Sequence, residues 1–325
     1  MVLESIKHKI LSLSSSMGED LVRQVYEYQY NNCDTYRSFC KNLNRTPNKI
    51  KGINQIPYLP ISAFKYYEVK SGEWQEDKVF TSSSTTGQLP SKHFVKDIDW
   101  YNAIAEKCFH HFYGDVSDYG FYALLPSYLE RSGSSLIHMS DHFLNKSERG
   151  GFYLYNHEEL LRNIQKDKSP KVLLGVSFAL LDLAETFAER LENVIIMETG
   201  GMKGRKKEIS RDELHRTLRN AFHQKFIHSE YGMTELMSQA YSGGDGIFFP
   251  PFTMQLDTVQ LNDPLSKEDF GRSGILRIID LGNIHTCSFI QTDDMGVMYP
   301  DGSFEVLGRV DHSEIRGCNL MVSDF

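Results

Sequence analysis

Between Tyr119 and Gly200 the apolar runs YGFYALLP, KVLLGVSF and NVIIMETG are separated by segments of helical periodicity such as NHEELLRNIQK and ALLDLAETFAERL. Short runs rich in branched and aromatic residues read as strands, and strand and helix in alternation predict β-α-β units in a parallel sheet. The flanks read differently. Amphipathic patterns over Leu3 to Leu13, Glu19 to Tyr30 and Asp34 to Leu43, with Asp34 as N-cap, predict a helical prologue. A Pro-punctuated connector, NQIPYLPISAF, follows it. Beyond about Tyr241 the runs GILRIIDL, HTCSFIQT and SFEVLGRV read as consecutive strands. The expected organisation is a prologue over 1–75, an α/β nucleotide-binding core over 76–240 and a β-rich subdomain over 241–325.

With 325 residues, 40% hydrophobic and 24% charged, the chain can bury a sizeable core. A net charge of −8 argues against nucleic acid as a partner, and the basic run MKGRKKE reads as a solvated loop. Five cysteines without a CxxC pair suggest neither a disulfide framework nor a zinc ribbon, and a reducing cytoplasm fits them. No run approaches the roughly 20 apolar residues of a membrane span, and the N-terminus lacks the apolar stretch of a signal peptide.

The stretch TSSSTTGQLPSKH, Thr81 to His93, follows a strand-like KVF. Hydroxyls and backbone N–H groups of such a loop can wrap phosphates, with glycine allowing close backbone approach; a Ser/Thr linker would have the same composition. Further along stand SEYGMTE (229–235) after strand-like KFIH, QTDDMG (291–296) placed between strands, and GRVDHSEIRG (308–317).

In order and separation these four segments resemble the adenylate-forming superfamily of acyl-CoA synthetases, firefly luciferase and peptide-synthetase adenylation domains. The resemblance implies the N-terminal-domain fold of those enzymes, parallel and mixed sheets with helices plus a β-rich final subdomain, and it implies ATP and Mg²⁺. It assigns Ser82, Ser83, Ser84, Thr85, Thr86, Gly87 and Lys92 to the phosphates. Ser84 stands where the family has glycine, and Lys92 comes two residues later than usual. In YGMTE it sets the Tyr231 ring against adenine, with Gly232 beside it, Thr234 at the α-phosphate and Glu235 on Mg²⁺, a hard oxygen ligand for a hard cation. Asp294 would accept hydrogen bonds from the ribose hydroxyls, with Asp293 where glycine is usual. Arg309 and Asp311 match the arginine and acid of the hinge motif, one residue shorter here, and Gly200 and Gly201 of ETGGMKGR would pass along the adenine.

Relatives of full length continue past the hinge into a small C-terminal domain carrying a lysine used in adenylation, whereas this sequence stops at Phe325. LPSYLERSGSSLIHMSDHF and GRVDHSEIRGCNL resemble the acyl-protein synthetases of the bacterial luciferase fatty-acid reductase complex, a branch that lacks that domain. That resemblance implies activation of a fatty or other apolar carboxylic acid as acyl-AMP, capture as a thioester on Cys318, and transfer to a reductase-like protein. Arg316 and Arg309 would favour the Cys318 thiolate; a small buried hydrophobe is the ordinary alternative for a free cysteine. Two rivals remain: a phenylacetate-CoA-ligase-like enzyme, which would use CoA, and a non-catalytic nucleotide-binding scaffold. His138 and His142 share one face if their segment is helical; without a third ligand in view they read as pocket lining or a surface pair rather than a metal site.

Overall fold

The computed structural model describes residues 2–82, 89–126, 133–200 and 209–310. The prologue forms α1 (Val2–Leu11), α2 (Glu19–Asn32) and α3 (Asp34–Asn42). The same 1–75 segment goes on to a two-residue strand β1 (Leu59–Pro60) and a single turn of helix α4 (Ala63–Tyr66). The hairpin β2 (Lys78–Thr81) and β3 (Lys92–Val95) leads into α5 (Ile98–Tyr113). The expected alternation follows as β4 (Gly120–Leu124), α6 (Ser135–Ser147), β5 (Gly150–Tyr153), α7 (His157–Lys166), β6 (Lys171–Val176), α8 (Ser177–Thr186), β7 (Val194–Thr199), α9 (Arg211–Phe222) and β8 (His228–Tyr231). Strand β9 (Ala240–Ser242) closes this part. The remainder is β10 (Met254–Gln260), β11 (Asp263–Lys267), β12 (Ser273–Asp280), β13 (Phe289–Met298) and β14 (Phe304–Arg309).

Among the described residues one sheet runs β5-β4-β6-β7-β8-β9, parallel except for β9. Every residue of β4 and β6 is buried, as expected of strands covered by helices on both faces. The second sheet runs β1-β13-β12-β10-β11, with β14 pairing along β13. It is antiparallel except where β1 lies parallel to β13, Leu59 opposite Ile290 and Pro60 opposite Gln291. Phe248 and Phe304 exchange backbone hydrogen bonds of 2.8 and 2.9 Å, tying the segment after β9 to β14.

The prologue packs on the second sheet. Tyr36 stacks on Phe289 with ring centroids 5.9 Å apart, and Tyr26 meets the same ring edge-on. Gln29 is fully buried and is satisfied by the connection between β12 and β13: its Nε2 donates to the Asn283 carbonyl (2.9 Å) and its Oε1 accepts from the Ser288 N–H (2.9 Å). A buried amide without those partners would carry its full desolvation penalty.

Four expectations need correction. Cys33, not Asp34, occupies the N-cap of α3; Asp34 is the first helical residue and pairs with Arg37 one turn on, which suits an acid at a helix N-terminus. Helix α8 stops at Thr186, short of Leu191. The HTCS of HTCSFIQT precedes β13, which begins at Phe289. QTDDMG does not lie between strands but inside β13, where the pairing register slips.

Candidate active site

The hairpin β2–β3 forms the stem of the Ser/Thr loop. Thr81 lies opposite Lys92, and Ser82 closes the stem by accepting the Ser91 N–H on its Oγ (2.9 Å) and donating its own N–H to the Ser91 carbonyl (3.1 Å). Ser83, Ser84, Thr85, Thr86 and Gly87 lie outside the described residues. Strand alternation decides where Lys92 goes: its neighbour His93 points inward and is fully buried, so Lys92 takes the exposed side and stays off the cleft.

His93 has a positional role that the sequence reading missed. Its Nδ1 lies 2.8 Å from the Thr234 carbonyl, so that nitrogen carries the proton, and Nε2 faces the Thr286 hydroxyl at 3.2 Å. Burial pushes its pKa from 6.5 to about 4, which keeps the ring neutral and its tautomer set by these partners.

Strand β8 ends at Tyr231 and the turn after it carries Gly232, Thr234 and Glu235; a second missed residue holds that turn. Asp280, fully buried at the end of β12, accepts the Met237 and Ser238 N–H groups (2.8 and 3.0 Å) on Oδ2, and the Ser238 hydroxyl and Gly282 N–H (2.7 and 2.9 Å) on Oδ1. Asn283 adds a hydrogen bond from its side-chain amide to the Glu235 carbonyl (2.8 Å). Gly232 has no room for a side chain: a Cβ there would sit 2.4 Å from Glu230 Oε1.

Tyr231 donates its hydroxyl to Asp294 Oδ2 at 2.9 Å, and Arg309 Nε reaches Asp294 Oδ1 at 3.1 Å. Burial, with the charge of Asp294 adding to it, pushes the Tyr231 phenol well above its ordinary range, so it stays a donor. The slip in β13 sets this geometry. The four-residue step from Gln291 to Met295 on β13 spans the two-residue step from Arg277 to Ile275 on β12, and Thr292 fastens the bulge by donating to the Leu276 carbonyl (2.9 Å) and accepting the Asp294 N–H (3.0 Å). A bulge of this kind re-aims a side chain at a site.

Tyr231, Gly232, Thr234, Glu235, Asp294, Arg309, Gly200 and Ser82 all line one cleft of about 520 Å³ between the two sheets. Gly201, Asp311 and Cys318 lie outside the described residues. Glu235 is buried, and burial raises its carboxyl above the ordinary range, while the Ser91 hydroxyl and the charges of Arg309 and Lys65 pull the other way. Glu198 also lines the cleft and is buried; its bond to His215 and the charge of Arg211 outweigh the burial and hold it below the ordinary range. Arg211 also donates to the Val306 carbonyl at 3.1 Å, joining α9 to β14.

A second cavity of about 150 Å³ adjoins the first. The two share Ser82, Gly200, Glu230, Gly232, Met233 and Thr234, and the second extends to Tyr101, Leu136 and Met139. Glu230 stands at the junction with Thr199 donating to it, and burial pushes its pKa up to about 7. His138 and His142 are taken up by Lys78, Asn102 and Glu106, and no set of three metal-ligating side chains occurs among the described residues.

Two facing sheets with this cleft between them are the fold of the large domain of adenylate-forming ligases. In the open conformation of 2-hydroxyisobutyryl-CoA ligase in complex with 2-HIB-AMP and CoA, the TM-score is 0.68 at 14% identity, over 94% of this chain and 75% of that one. ATP-bound MatB from Rhodopseudomonas palustris matches with a TM-score of 0.56 at 14% identity, over 85% of this chain and 57% of that one. Residues 12–99 match the family model described as acyl-protein synthetase, LuxE. The long-chain-fatty-acid–luciferin-component ligase of Vibrio harveyi is 23% identical over 93% of this chain and 86% of its own length. In sequence the chain is thus similar to the acyl-protein synthetases, and in fold to the large domain of adenylate-forming ligases.

Proposed function

We propose that this chain is an acid–thiol ligase that condenses a carboxylic acid with ATP to an acyl adenylate and passes the acyl group to a thiol. The observation that carries the reading is the meeting of the Tyr231–Asp294–Arg309 set, Thr234, Glu235 and the Ser/Thr stem in one cleft. In the first half-reaction a carboxylate oxygen bonds to the α-phosphorus, the bond to the bridging oxygen breaks, and pyrophosphate leaves with the electron pair. Such in-line transfer depends on positioning and charge neutralisation. Asp294 takes the ribose hydroxyls, the Tyr231 ring lies along the adenine with Gly200 and Gly201, and Thr234 meets the α-phosphate. Ser82 and the loop Ser83, Ser84, Thr85, Thr86 and Gly87 take the outer phosphates. The second cavity takes the acyl portion, which then meets the α-phosphate at Gly232–Thr234.

Glu235 suits a Mg²⁺ ion that arrives with the nucleotide. It offers one buried carboxylate whose ionised form burial disfavours and a cation would restore, and the described residues offer no all-protein cage. Bound there, the ion would neutralise phosphate charge. In the second half-reaction a thiolate attacks the acyl carbonyl and AMP leaves. Cys318 is the proposed acceptor, with a reductase-like protein receiving the acyl group; CoA is the other candidate thiol. The buried free cysteines Cys33, Cys40, Cys108 and Cys287 suit a reducing cytoplasmic setting, and no described helix is long and apolar enough to cross a membrane.

Exchange of labelled pyrophosphate into ATP across a panel of carboxylic acids tests the first half-reaction. Glu235→Gln should lower it by about 100-fold or more while the fold persists. Incubation with ATP, Mg²⁺ and an active acid should leave a hydroxylamine-labile acyl group on the protein that Cys318→Ala removes without loss of exchange. A soluble acyl-CoA and no labelled protein would favour CoA. Absence of exchange with every acid, in protein that binds ATP, would support a scaffold instead.

A further inference from the structure

We propose that Lys65 is a phosphate-binding residue of the cleft, the cation that receives the outer phosphates of ATP and the charge that develops on departing pyrophosphate; this rests on the ATP reading above. Lys65, Arg211 and Arg309 are cations lining the cleft. The two arginines are engaged, Arg309 with Asp294 and Arg211 with Glu198 and the Val306 carbonyl. Lys65 is half-buried, and among the described residues its ammonium has neither an ion-pair partner nor a hydrogen bond; its field falls on Glu235. A partly desolvated ammonium without an anion is unfavourable and gains most from a charged ligand.

Its placement is rigid. One residue past the β1–β13 pairing, the Ile61 N–H donates to the Gln291 carbonyl (2.8 Å), three residues before Asp294. The Phe64 ring meets His93 edge-to-face at 5.6 Å, and His93 holds the Thr234 carbonyl. The backbone of α4 is therefore tied both to the strand that carries Asp294 and to the turn that carries Thr234 and Glu235. Leu89 and Ser91, at the far end of the Ser/Thr loop, line the same cleft, and Ser91 bonds Glu235. Lys65 thus lines the cleft together with the loop end, and its charge and the Ser91 hydroxyl both act on Glu235. As the bond from α-phosphorus to bridging oxygen breaks, the ammonium would take up the growing negative charge without transferring a proton.

Calorimetric titration with Mg·ATP and with AMP, on the wild-type protein, Lys65→Ala and Lys65→Arg, tests this without knowledge of the acid. Lys65→Ala should weaken Mg·ATP binding by at least about tenfold and leave AMP within about twofold, with Lys65→Arg recovering most of the loss. Equal weakening of both nucleotides would make Lys65 a mere counter-charge to Glu235 and overturn the assignment, as would unchanged Mg·ATP affinity in Lys65→Ala. If the wild-type protein bound neither nucleotide, the ATP reading itself would fall and take this one with it; a failure confined to Lys65 leaves wild-type ATP binding in place.

Discussion

Asp280→Asn changes one oxygen to an amide nitrogen at the carboxylate that anchors the Thr234–Glu235 turn. The wild-type group accepts four donors, three of them backbone N–H. The best orientation of asparagine keeps its oxygen toward Met237 and Ser238 and turns its NH₂ toward the Ser238 hydroxyl, which can accept, and the Gly282 N–H, which cannot. One buried donor is then orphaned at about 1–3 kcal/mol, and the remaining bonds lose their charge assistance. A destabilisation of about 3 kcal/mol follows for a fully buried site. With an unfolding entropy of about 0.7 kcal/mol/K for 325 residues, the melting temperature should drop by about 4 °C. Calorimetry and urea unfolding at pH 7 measure it. Burial raises the Asp280 carboxyl above its ordinary range, against the pull of its four donors. A drop below about 1 °C would mean that the group is already protonated in the folded protein and would refute the charge-based account.

Gly232→Ala should lower acid-dependent pyrophosphate exchange by at least about tenfold, because the new Cβ meets Glu230 Oε1 at 2.4 Å. Adding Glu230→Ala removes the obstructing atom and should restore part of the rate; no rescue in the double variant would refute the steric cause. His93 binds a proton less readily folded, at about 4, than unfolded, at 6.5, so the stability it contributes is present above pH 6.5 and is lost as pH falls toward 4. Replacing it by Gln should reduce the pH slope of unfolding free energy in that window by up to about 1.4 kcal/mol per pH unit, read from urea midpoints. An unchanged slope in His93→Gln would contradict the neutral, tautomer-fixed ring.

The alternation of β4, β6 and β7 with their helices was legible because strands buried on both faces are written in nearly continuous apolar residues. The Tyr231–Glu235 turn and Asp294 were picked out by the resemblance of their motifs, and the fold brings them to one cleft. Lys65 and Asp280 were not. Their significance arises only when residue 60 pairs with residue 291 and residue 280 meets residues 237 and 238, contacts that no local pattern encodes. QTDDMG, expected between strands, lies inside one, where Thr292 spends its hydroxyl on the bulge. Strands β10 and β11 went unread, although Met254, Leu256 and Thr258 alternate inward as a half-buried strand should.

The buried amide of Gln29 has consequences for how the molecule is made. Its partners, Asn283 and Ser288, are 254 and 259 residues further along the chain, and β1 likewise waits for Ile290 and Gln291. On the ribosome the prologue therefore emerges long before the strands that complete it, and its apolar faces stay available to chaperones until the final subdomain is synthesised. Chains truncated before residue 283 and released should leave α2 open to protease, and the released 325-residue chain should protect it.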